Sequence, residues 1–572
     1  MLFDSRIFVA QFVVCFLIAS PKAYCVEKAE RIFHNGIVVT MEPGVEFAEA
    51  VATADGKIIA VGKSEEIKQL GDANTDFVDL DGKTLMPGFV DPHLHPYLGA
   101  LLLPMEFITP EDWELPGRTA KAVSDKATYL KRLKEAEAKL DDAQEWLFVW
   151  GFHHVFHGQI DRRDLDKISS ERPIVLWHRS FHEIYFNTVA LEAMELTEAD
   201  VEGVPHTNWE KGHFYETGGE IVLPKLLPKL LEPNRFSQGL SQFKELVHQG
   251  GITTIADLSA YLLGEEEFNL TKNGLDRSSV PFRTLMIADG MAPAKRNSGN
   301  PMAAVDFVRE LKKKSGKKVF FIDHVKLFSD GAFFSQLMQL NEPYLDGHSG
   351  EWLMKPAELK EAAQAFWHSG FRIHVHTNGD QGVDIVLDIL EQLQSQKAIE
   401  DHRFTLEHFG VSTVAQAKRI AELGACVSAN PYYLHVLGEL YAEQGLGPER
   451  AHHISRCGSL VNNNVRLALH SDLTMAPARP LFLAWCAINR KGLSGKTLGA
   501  SEKISVDAAM RAITIDAAFV LGQESEIGSI KKGKRADFVI LGQNPYKVDP
   551  MMLHKIPVVM TVFEGAIHKI KP

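Results

Sequence analysis

Asp91-Pro92-His93-Leu94-His95 follows the apolar run Leu85-Met86-Pro87-Gly88-Phe89-Val90. Alternate side chains of a strand face the same way, so two histidines one residue apart aim both imidazoles at one cation. Neutral imidazole suits zinc and related metals. A chain with 24 histidines contains such pairs by chance, so the downstream sequence decides whether this one matters. His374-Val375-His376-Thr377-Asn378-Gly379-Asp380 again reads as a strand ending in a polar loop, with His376 as the ligand candidate and His374 as a core or supporting group. Arg403-Phe404-Thr405-Leu406-Glu407-His408 delivers His408 at a strand end, ahead of a helix beginning near Ser412. Val465-Arg466-Leu467-Ala468-Leu469-His470-Ser471-Asp472 closes on a carboxylate, and Asp472 can serve as both ligand and base. Between the first pair and these, Phe320-Phe321-Ile322-Asp323-His324-Val325-Lys326 places a lysine late in an apolar strand.

The elements that must carry these residues are short strands separated by helix-length spacers. A (β/α)₈ TIM-like barrel has this form, with its catalytic residues at the C-terminal ends of several strands. Both chain ends add strands. Arg31 to Thr40 reads as one, and Ala48 to Gly62 as two joined by an Asp55-Gly56 hairpin turn, with a second such turn at Asp81-Gly82. Gly528 to Leu541 and Val558 to Gly565 contain others, and neither terminal block can bury a comfortable core alone. The spacing predicts a helix from about Ser505 to Leu521, stopped by Gly522.

The ordered set of His-x-His, two later single histidines and a final aspartate resembles the amidohydrolase superfamily. Lys326-Leu327-Phe328-Ser329-Asp330-Gly331 and Asn378-Gly379-Asp380 resemble its family 3 branch, which includes an N-substituted formamide deformylase. Asp161 to Asp166, Arg172 to Trp177 and His182 to Asn187 follow that branch's inserted region in order. The resemblance implies a small β-sandwich of residues 26–86 and 516–572 beside a barrel of residues 87–515, with an insertion at about 100–240. It further implies that His93 and His95 hold a first metal with Asp472, that His376 and His408 hold a second, and that an N6-carboxylated Lys326 bridges them. His182 then faces the substrate. His153, His154 and His157 form a further cluster, expected to line a loop near the pocket.

Composition fits a large enzyme, at 45% hydrophobic and 24% charged residues. The balance of 61 basic against 74 acidic residues, a net charge of −13, argues against nucleic-acid binding. Ile7 to Ala19 is almost wholly apolar and precedes Ala23-Tyr24-Cys25, so residues 1–25 read as a signal peptide of a secreted or periplasmic protein. No membrane insertion is expected after its cleavage. The three remaining cysteines, Cys426, Cys457 and Cys486, imply no disulfide framework.

The ligands suggest the chemistry. One or two divalent ions, zinc foremost, activate water, Asp472 acts as general base, and His408 or His182 stabilises the developing oxyanion. The expected reaction is hydrolysis of an amide-type C–N bond in a small molecule, by an enzyme whose assembly as a homodimer is compatible with the sequence. Deamination or ester hydrolysis on the same metal site is the alternative, as is an exported metal-binding or regulatory protein without turnover. Trp150, Phe152, Phe156, Trp177 and Tyr185 hint at an apolar leaving group or, for most of them, at the core of the insertion.

Overall fold

A computed structural model describes residues 28–570 apart from Ala143; the signal peptide expected at residues 1–25 lies outside the described residues. Eight parallel strands pair in chain order: Phe89–Leu94, Ile252–Ala260, Arg283–Asp289, Val319–Phe328, Arg372–Thr377, Thr405–His408, Cys426–Ala429 and Arg466–Leu469. The eighth returns beside the first, where the Asp472 N–H donates to the His93 carbonyl at 2.8 Å and the His95 N–H to the Leu473 carbonyl at 3.2 Å. The result is a nearly closed TIM-like α/β barrel. Its first two strands are buried at every position, as parallel strands covered on both faces must be. Helices such as Asp380–Gln396 and Val414–Glu422 make the crossovers, and Thr413 starts the latter by accepting from the Gln416 N–H in a capping box.

Two sheets pack together beside the barrel, the first made of N-terminal strands and the second of strands from both chain ends. One has the order Lys57–Gly62, Ala50–Ala54, Arg31–His34, Asp76–Asp79. The other has the order Ala566–Lys569, Val558–Phe563, Phe538–Leu541, Thr84–Pro87, Ile37–Val39, Phe47–Ala48. Phe33, Val51 and Ile58 of the first share a buried cluster with Val38, Leu85, Phe538, Ile540 and Val562 of the second. The Asp55-Gly56 turn is present, with φ of 49° and 70°. Asp537 ion-pairs with Arg283 at the base of the third barrel strand, tying these sheets to the barrel.

Between the first and second barrel strands lies another six-stranded sheet, ordered Thr207–Asn208, His213–Tyr215, Glu183–Phe186, Ile174–His178, Leu147–Phe152, Glu106–Phe107. Its helix Pro233–Gln249 leads back to the barrel and packs on Pro96–Leu102. The single helix expected at 505–521 is two, Val506–Ala512 and Ile515–Val520. The Ile513 carbonyl accepts from the Val90 N–H at 3.0 Å, and this bond to the first barrel strand takes the place of a helical one. Among the described residues no helix is long and apolar enough to cross a membrane, and Cys426, Cys457 and Cys486 are buried free thiols.

Candidate metal centre

The C-terminal ends of the barrel strands surround a cavity of about 180 Å³. His93, His95, His182, Lys326, His376, His408 and Asp472, the seven residues singled out from the sequence, all line it. They come together from five barrel strands and, for His182, from the loop before Glu183–Phe186.

Asp472 is the meeting point. Its Oδ1 lies 3.2 Å from His95 Nε2 and 3.7 Å from His93 Nε2, and its Oδ2 lies 3.5 Å from His408 Nδ1. His93, His95 and Asp472 each offer one ligating atom within 4.8 Å of the others. Two of these residues have backbones in the left-handed region, His408 at φ 73° and Asp472 at φ 50°. Non-glycine residues rarely adopt it, and such strain persists where surrounding structure enforces it, commonly at functional sites.

Behind the imidazoles stand carboxylates. His93 Nδ1 donates to Glu407 Oε2 at 2.9 Å, and His374 Nδ1 donates to Glu407 Oε1 at 2.6 Å. His95 Nδ1 lies 3.6 Å from Asp257 Oδ1. A proton fixed on Nδ1 leaves the Nε2 lone pair for a cation, the usual support of a metal-binding histidine. Burial, with the Lys326 charge adding to it, holds His93, His376 and His408 well below the ordinary histidine range, so they are neutral. Burial works against protonation of His95 too, yet Asp257 and Asp472 carry it up to about 9; the carboxylates that would keep a proton there equally favour a metal cation. Burial pushes the Glu407 carboxyl up, but the His374 hydrogen bond and the Lys326 charge prevail and hold it below the ordinary range.

Lys326 is 1% exposed, and its Nζ has no hydrogen-bond partner among the described residues. Burial brings it down to about 8, against the opposing charges of Glu407, Asp472 and Asp289. An orphaned, easily neutralised amine beside neutral imidazoles and a carboxylate fits the surroundings of a divalent metal. His376 stands on the cavity wall. Its Nε2 accepts from the Asn378 side-chain amide at 3.0 Å, while that amide also donates to the Gly331 carbonyl at 3.1 Å.

Several contributors escaped the sequence reading. Glu407 and His470 lie in runs that were read for their neighbours, and an ionisable residue within or just after an apolar barrel strand was the available signal. Arg179 gave none. It is wholly buried, donates to Glu111 Oε1 at 2.9 Å and to the Thr474 and Met475 carbonyls just past Asp472, and stacks 4.6 Å over Trp150. Tyr432 and Trp113 also donate to Glu111 Oε1, so one buried ion pair joins the six-stranded sheet to the loop carrying Asp472. Trp150, Phe152, Trp177 and Tyr185 are core residues; the cavity's aromatic wall is Phe181, Phe328, Phe333, Phe334 and Tyr433.

The His153–His154–His157 cluster does not line the cavity. His157 Nδ1 accepts from the His153 N–H and its Nε2 donates to the Val123 carbonyl, a satisfied structural pair. One nitrogen each of His153, His154 and His178 lie within 4.8 Å of one another. His153 Nδ1 accepts from the Val155 N–H, and His178 Nδ1 accepts from the Ser180 N–H and lies 2.8 Å from Ser180 Oγ, so Nδ1 of each ring is engaged within its own loop.

Comparison with known proteins identifies the family. The sequence profile of the amidohydrolase family matches residues 76–568. Protein LONG AFTER FAR-RED 3 of Arabidopsis thaliana is 27% identical over 542 residues, covering 91% of this chain and 88% of the relative. N-substituted formamide deformylase of Arthrobacter pascens is 23% identical over 558 residues, covering 93% and 97%. The crystal structure of an uncharacterized metal-dependent hydrolase from Pyrococcus horikoshii superposes with a TM-score of 0.69 at 22% identity, covering 91% of this chain and 99% of that one, and so shares the fold.

Proposed function

From the premise that the chain belongs to the amidohydrolase family and is a metal-dependent hydrolase of carbon–nitrogen bonds other than peptide bonds, we propose that it cleaves an amide-type bond of a small molecule with Asp472 as general base. The observation that carries the assignment is the placement of Asp472, whose two oxygens face His95 and His408 across one small cavity. His93, His95 and Asp472 surround one cation position, and His408, His376 and a carboxylated Lys326 complete the donor set, zinc being the metal that so many imidazoles favour. A divalent ion held there polarises the scissile carbonyl and lowers the pKa of water.

The chain's own residues do the rest. Asp472 takes the proton of the attacking water and returns it to the departing nitrogen. His182, across the cavity, or His408 donates to the carbonyl oxygen as negative charge develops on it. Phe181, Phe328, Phe333 and Phe334 seat an apolar part of the substrate and exclude water from the reacting bond. The paired terminal sheets act as a β-sandwich formed from residues 26–86 and 516–572, and the sheet between the first two barrel strands is an insertion that supplies His182. The apolar run before Ala23 supports export to the periplasm or beyond, and the protein works on small molecules, as a homodimer or alone.

The test compares metal content and hydrolysis of N-formyl, N-acyl, cyclic-amide and ester substrates in the wild type and Asp472→Asn. The variant should keep metal and lose turnover by at least about 100-fold, the low end for general-base catalysis. Undiminished hydrolysis overturns the role of Asp472, and turnover confined to esters or to deamination replaces the amide assignment. Metal uptake without turnover of any class favours a binding protein.

A further inference from the structure

His470 is buried at the heart of the site and has no place in the mechanism above. It follows the eighth strand, is wholly inaccessible, and its ring lies 4.6 Å from that of His93 and 5.1 Å from that of His408. Its Nδ1 is 2.7 Å from Ser428 Oγ and 3.5 Å from Glu407 Oε2. These acceptors place the proton on Nδ1 and leave the Nε2 lone pair aimed at His408 Nδ1, 3.3 Å away. Tetrahedral zinc with nitrogens at 2.0–2.1 Å spaces its ligands about 3.3–3.4 Å apart. One nitrogen each of His93, His408 and His470 lie within 4.8 Å of one another, a second group of potential ligands that shares His93 with the His93–His95–Asp472 group.

We infer that His470 is a metal ligand through Nε2 at the ion proposed for His408 and His376, making that a three-imidazole position, while His93, whose Nδ1 proton goes to Glu407, has only its Nε2 lone pair to give and stays with His95 and Asp472. The inference rests on the proposed metal centre and adds a donor to it. Glu407 then supports two ligands at once, accepting from His93 and lying beside His470. Ser428 on the seventh strand acts as a positioning residue that fixes the His470 tautomer. A position made of three neutral imidazoles selects zinc or a similar transition ion over magnesium or calcium, whose preferred ligands are oxygens.

The test is X-ray absorption at the metal edge of full-length protein loaded with Zn²⁺, counting imidazoles per metal, together with chelator competition. His470→Ala and the closer-sized His470→Gln should each lower the count of imidazoles bound by the protein's metals by one. Ser428→Ala should leave the count unchanged and weaken metal affinity about 10- to 100-fold, as loss of a ligand's supporting group does. Folded His470 variants that keep the full imidazole count overturn the inference and leave the metal centre intact. A wild-type chain that takes up no divalent ion overturns the proposed centre itself, and the inference with it.

Discussion

Lys326 offers a test that needs no substrate. Carboxylation requires the neutral amine, and the pKa decides how much of it exists. At about 8, where burial puts Lys326, roughly one amine in eleven is neutral at pH 7, against about one in 2,500 for an ordinary lysine near 10.4. The expected advantage in carbamate formation at neutral pH is therefore about 200-fold. Metal-free protein is incubated with ¹³C-labelled carbon dioxide at fixed dissolved concentration, and the carbamate carbon is followed by NMR with Lys326→Arg as the blank. Initial incorporation should rise about tenfold per pH unit below 8 and then level off, where an ordinary lysine keeps rising to about 10.4. A signal unchanged in the Arg variant, or a rise continuing past pH 9, refutes the reasoning. The same shift has a stability consequence of definite sign. Lys326 binds its proton less readily folded than unfolded, so protonation opposes folding. The cost is full below about 8 and disappears as pH rises towards the unfolded value near 10.4.

Two predictions concern the supports of the site. Arg179→Met strands the buried Glu111 carboxylate and should cost about 3–5 kcal/mol, read as a lower denaturation midpoint, while adding Glu111→Gln recovers part of the loss; a single variant as stable as the wild type contradicts this. Gly239 lies inside Pro233–Gln249, where alanine ordinarily stabilises a helix by about 1 kcal/mol. Here a Cβ would come within 1.8 Å of the Ala100 carbonyl oxygen, so Gly239→Ala should reverse the sign and lower the thermal midpoint.

The barrel was legible because each of its chemically active strands is an apolar run ending on a His, Lys or Asp, a pattern that local sequence carries whole. His93, Lys326 and Asp472 could be picked out this way. Their supports could not, because those are pairings between distant segments. Glu407 reaches His93 across 314 positions, and Arg179 reaches Thr474 across 295. Glu407 was hidden by its neighbour His408, since alternation along a strand assigns the two to opposite faces. The left-handed backbone at His408 breaks that alternation and lets both serve the site. The single helix expected at 505–521 failed for the same reason: the Val90 N–H that takes the Ile513 carbonyl lies far away in the sequence.

The strand Thr84–Pro87 sits between Ile37–Val39 and Phe538–Leu541, and through Gly88 it runs straight into the first barrel strand. One of its neighbours is made before it and the other roughly 450 residues afterwards, which at about 5–20 residues per second is a delay of about 20–90 s on the ribosome. Throughout that interval a fully buried strand has one bare hydrogen-bonding edge, the kind of edge on which nascent chains pair with one another. Shielding of that edge by a chaperone until Phe538–Leu541 emerges should therefore raise the yield of folded protein.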